Sequence, residues 1–199
     1  MFRRALFGVL YGGFLLWQNR WFSDPLTEAE VDDYLDRADR GASKALTEEE
    51  RANFRNFLVA DDGKPFYMVN LMEYRKEAVY EDGLFPDVKT GAEANELYGK
   101  AVIKELLKRG SYPVFLSKKI GNFLNAGAET DFFEEVGIVR YRSRRDLLEM
   151  ITSADFVSAE PHKWASMKNT VVVPSRKVIL LDPSVIVPLI LLILFGRRN

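Results

Sequence analysis

The chain has 199 residues, 47% apolar and 29% charged, enough to bury a core and too apolar for a disordered chain. It contains no cysteine, which excludes disulfides, thiolate metal sites and thiol nucleophiles. Five of the 28 basic residues (Arg3, Arg4, Arg20, Arg197 and Arg198) lie at ends free of acidic residues, leaving 23 against 29 acidic residues between them; an acidic body argues against nucleic acid as the main partner.

Residues 1–22 read as a hydrophobic anchor. Ala5 to Trp17 is an uncharged apolar run behind Arg3 and Arg4, and no small-x-small cleavage site follows it. As a helix it spans about 20 Å, short of the roughly 30 Å hydrocarbon core. Trp21 and Phe22 extend it as interfacial aromatics, with Arg20 snorkelling. Gly8 and Gly12 form a weak G-x-x-x-G packing motif.

Residues 26–60 read as a helical pair. Thr27 with Glu30 and Thr47 with Glu50 are capping boxes, each followed by apolar residues at helical spacing. Asp61 to Pro65 is a turn, and Phe66 to Leu71 a buried strand. A loop over 80–90 leads to a helix from Thr90 to about Lys108. Strands follow at 112–120 and 132–141, helices at 143–151 and 153–167, and a last strand at 169–173.

Over 64–176 the expected fold class is α+β, a ferredoxin-like β-α-β-β-α-β sheet. Helices on one face of such a sheet leave the other to be covered, and a second copy is the economical cover. Residues 178–199 form a second hydrophobic anchor: Ser184 to Phe195 is apolar, kinked at Pro188, and ends in Arg197 and Arg198. Hydrophobic helices at both termini make the protein membrane-associated. The positive-inside rule then places both termini in the cytoplasm and the body on the opposite side. The alternative is that both ends are core helices or dimer arms.

Val69-Asn70-Leu71 at the end of a strand, Tyr141 with Ser143, Ser153 with Phe156, and the pair His162-Lys163 before the last strand resemble the dimeric α+β barrel superfamily, and within it the DUF1330-type proteins of uncharacterised function. The resemblance covers about half the chain, near 64 to 175. Phe156 stands where tyrosine is usual and Lys163 where arginine is usual. It implies a homodimer, and a substrate-binding role at Lys163. Relatives by fold include cofactor-free monooxygenases, isomerases and haem-binding enzymes, and a shared fold does not carry function across that range.

His162 is the single histidine, hence the one imidazole base or haem ligand available; a partly exposed helix residue is its plainer reading. Asn70 shares a strand face with Phe66 and Met68, and a polar amide there orients a substrate or bonds a loop. Arg140 follows Val136 and Ile138 on one face, where it binds a carboxylate or sits wet at the strand end. Tyr98 and Tyr141 are donors to a bound oxygen, or core tyrosines. Glu134 and Glu135 are neighbours on a strand and point apart. No nucleotide loop, zinc motif or calcium loop occurs.

These residues lead to a membrane-associated homodimer that binds a small apolar or aromatic molecule without a cofactor, with a capacity for cofactor-free oxidation or isomerisation. His162 and Arg140 are its catalytic candidates, and Asn70, Tyr98, Tyr141 and Lys163 its binding candidates. A haem-binding protein using His162 and a non-enzymatic membrane-anchored interaction module are the alternatives.

Overall fold

The computed structural model describes residues 2–20, 24–124, 131–177, 186–188, 190 and 191. Its centre is an antiparallel sheet of four strands, β1 (Phe66–Tyr74), β2 (Tyr112–Lys118), β3 (Glu135–Tyr141) and β4 (Met167–Ser175), in the order β2-β3-β1-β4. The mixed α+β class is therefore as expected. β3 starts at Glu135 rather than near Phe132, because Lys119 pairs with Asp131 and lies over the Phe133 ring, drawing that approach into a local clamp.

Helix α1 (Phe2–Asn19) precedes α2 (Glu28–Gly41) and α3 (Glu48–Val59). Helix α4 (Gly91–Lys108) joins β1 to β2, and α5 (Arg144–Ile151) with α6 (Ala154–Ser166) joins β3 to β4. The boxes at Thr27, Thr47 and Thr90 close fully. Each threonine hydroxyl accepts from the N–H of the third helical residue, and that residue's glutamate accepts from the threonine N–H.

Strand parity sorts the sheet into two faces. Phe66 pairs with Tyr141, Met68 with Val139 and Asn70 with Gly137 on the face under the helices. Phe66, Leu106, Tyr141, Leu147, Met150 and Phe156 form the core there, and Phe66 stacks on Tyr141 at 5.2 Å. The helical pair adds a second cluster, in which Val31, Leu35 and Leu58 close on Leu148 of α5. Tyr67 pairs with Arg140, Val69 with Ile138 and Leu71 with Val136 on the opposite face. That face is open: Val171 and Val173 are exposed beside Leu71 and Val69.

The expected membrane association does not hold. Among the described residues no helix is long and apolar enough to cross a membrane. Helix α1 has 18 residues, but Arg3 and Arg4 occupy its first turn and Gln18 and Asn19 its last. That last turn is committed to the body, since Gln18 Nε2 donates to the Gly110 carbonyl at 2.8 Å and the Trp17 ring lies against Gly110. The anchor reading of α1 is thereby overturned. So is the placement of termini and body on opposite sides, which required a crossing helix. Trp21 and Phe22 lie outside the described residues, as does most of the segment 178–199, including Arg197 and Arg198.

Candidate functional site

The covered face of β1 carries Phe66, Met68, Asn70, Met72 and Tyr74 in strict alternation. Phe66 and Met72 are buried, whereas Met68, Asn70 and Tyr74 are half-buried, so the helices do not seal against the middle of the sheet. Asn70 Nδ2 donates to its own strand at the Met68 carbonyl (3.1 Å) and across to Gly137 (3.4 Å). Gly137 suits its place opposite Asn70, because a Cβ there would press on Met72 Cε at 3.1 Å.

Two tyrosines frame Asn70 on this face. Tyr141 lies at the Phe66 end, and burial pushes its phenol above the ordinary value. Tyr74 lies at the other end, where its hydroxyl donates to Glu135 at 2.8 Å. Burial and then the bond to Glu135 raise its phenol too. Tyr98 reaches in from α4, with its ring edge-on to Phe156 at 6.3 Å. Burial drives its phenol well above the usual range, and Tyr141, Glu160 and Tyr74 each push in the same direction. Tyr98 packs against the core cluster that contains Phe66 and Tyr141. The Tyr98 and Tyr141 hydroxyls have no hydrogen-bond partner among the described residues, so this side of the sheet carries two neutral donors without an internal acceptor.

Glu160 lies on α6. It is buried, accepting from Trp164 Nε1 at 2.8 Å and from the Ser43 N–H at 2.5 Å. Its neighbour Lys163 is half-buried, with Nζ 4.5 Å from the Trp164 ring centroid. Burial lowers the Lys163 ammonium, Glu160 opposes that, and Lys44 adds to it.

The other two candidates lie elsewhere. Arg140 occupies the opposite face of the sheet, 3% exposed, and its Nη2 donates to the Gln18 carbonyl and to Asn19 Oδ1, each at 3.1 Å. It caps the C-terminal end of α1, whose last carbonyls lack helical partners. His162 faces the loop after β1. Its Nδ1 lies 2.6 Å from the Tyr80 hydroxyl and its ring 4.5 Å from Phe85, and burial lowers its pKa. Nε2 is then the nitrogen left for any ligation. Among the described residues no group of three or more His, Asp or Glu is placed to hold a metal.

The structure thus gathers Asn70, Tyr98 and Tyr141 on one side of the sheet and separates Arg140 and His162 from them. Tyr74, bonded to Glu135, and the buried Glu160 were missed from the sequence. Alternation from Asn70 points to Tyr74 directly, whereas Glu160 on its short helix carries no such signal.

Two solved structures share the fold. One is a protein of unknown function from Rhodopseudomonas palustris, with a TM-score of 0.57 and 25% identity over 70% of this chain and 99% of that one. The other is a methylated form of the same protein, with a TM-score of 0.58 and 25% identity over 71% and 99%. These neighbours are uncharacterised α+β proteins with a four-stranded antiparallel sheet. No family model matches the chain, and no curated protein matches it.

Proposed function

We propose that the chain is a homodimer of the ferredoxin-like, dimeric α+β barrel type that holds a small, largely apolar or aromatic molecule between its sheet and helices α4 and α6. The course β1-α4-β2-β3-α5-α6-β4 and the order β2-β3-β1-β4 support the ferredoxin-like reading. The uncovered apolar face supports the dimer: Val69, Leu71, Val136, Ile138, Val171 and Val173 form one continuous surface, and a second copy removes it from water.

The observation that carries the ligand reading is the pair of unbonded phenols at Tyr98 and Tyr141. Neither hydroxyl is among the fully enclosed unpaired polar atoms, so each can meet water in the empty protein, and a carbonyl or ether oxygen on a bound molecule takes that place. Asn70 presents a polar amide to the same stretch, while Met68 and Phe156 offer apolar wall. The pattern is that of a small-molecule pocket: mostly apolar, with a few convergent polar groups.

Native mass spectrometry of the full chain as purified tests this. The expected species is a dimer with a discrete added mass, lost from the Tyr98→Phe/Tyr141→Phe double variant while the dimer persists. A chain without added mass, whose double variant behaves identically, counts against the reading.

A further inference from the structure

A second groove, of about 440 Å³, lies outside the tyrosine cleft, between the loop after β1 and the junction of α6 with β4. Arg75, Lys44, Tyr80, Leu84 and Trp164 are among its walls. The loop is pinned rather than draped. Arg75 N–H donates to the Ser166 carbonyl at 2.7 Å and Val79 N–H to the Ala165 carbonyl at 3.1 Å. Gly91 crosses so close that a Cβ there would stand 2.1 Å from the Arg75 carbonyl oxygen.

The Arg75 guanidinium is oriented by a single bond, from Nε to the Met167 carbonyl at 3.0 Å. No carboxylate among the described residues forms an ion pair with it, so its two terminal nitrogens keep a free donor edge. Lys44 likewise forms no ion pair among the described residues; its Nζ lies 4.6 Å from the centroid of the Trp164 ring. The third cation of the groove, Lys168, is held by Glu73 at 2.6 Å. Of the two carboxylates at the rim, Glu50 is engaged in its own helix cap and Glu81 lies on an exposed turn.

We infer that this groove is a binding site for a small organic acid, with the carboxylate on the free edge of Arg75 beside Lys44 and an aromatic body against Trp164, Tyr80 and Leu84. A planar guanidinium edge matches a carboxylate in a two-point bond, and the apolar walls select an acid with a ring over a bare anion. The site is independent of the tyrosine cleft and stands if that reading fails.

Calorimetric titration of the full chain at low salt, with benzoate and with inorganic phosphate as probes, tests this. Saturable benzoate binding is expected, tighter than phosphate binding and weakened by added salt. Arg75→Gln should weaken it about tenfold or more, which is ~1.4 kcal/mol, and Lys44→Gln severalfold. Lys44 is exposed, so its variant reports even if Arg75→Gln disturbs the loop, and circular dichroism checks both. Absence of benzoate binding, preference for phosphate, or equal affinity in wild type and Lys44→Gln would each overturn the inference.

Discussion

At the scale of single residues, an unbonded hydroxyl and a buried carboxylate set opposite expectations. Among the described residues the Tyr98 hydroxyl has no partner, so Tyr98→Phe should change stability in denaturant by no more than about 0.5 kcal/mol. Tyr98→Ala removes a ring packed on Phe156 and should cost about 3–5 kcal/mol. A large loss in the Phe variant would show that the hydroxyl is structural. Glu105 is 1% exposed. Burial alone would raise its pKa, but Lys108, Arg109 and Ser153 outweigh that and hold it at about 2. Its folded pKa thus lies below the ordinary carboxylate value, so its contribution is complete above about pH 4.5 and is lost as pH falls toward 2. Glu105→Gln should flatten the acid limb of a stability–pH curve in that window, and an unchanged limb would contradict the assignment.

At the scale of elements, the local signals were legible and the long-range ones were not. The three capping boxes are written in four residues each, and each helix begins where its box predicts. The parity of β1 likewise places Asn70 and Tyr74 beside Phe66 without knowledge of any partner strand. Arg140 reads as a carboxylate binder because its true acceptor, the Gln18 carbonyl, lies 122 positions away. The apolar run of α1 reads as an anchor for the same reason: its docking contact, Trp17 on Gly110, is tertiary. Gly110 has φ +65°, and a Cβ there would meet Trp17 at 2.7 Å. Gly110→Ala combines backbone strain with that clash. It should lower stability by about 1–2 kcal/mol and speed protease cleavage within α1, whereas an unchanged cleavage rate would mean that Trp17 does not hold the helix.

At the scale of the whole molecule, one sheet divides two tasks. Its helix-covered face holds Asn70 and the tyrosines; its other face is apolar, antiparallel and open, save where Gln18 and Asn19 of α1 reach Arg140 at one end. Ile138 sits centrally on the open face, paired with Val69 on one side and Phe115 on the other. A lysine there is tolerated by an open sheet but not by a buried interface, where an unpaired charge is costly.

Sedimentation velocity of the full chain and its Ile138→Lys variant across a range of concentrations tests the division of the sheet most directly. The expected result is a dimer for the wild type and a folded monomer for the variant, with matching circular dichroism. A wild-type chain that stays monomeric at every concentration, or a variant that dimerises as well as the wild type, would contradict it.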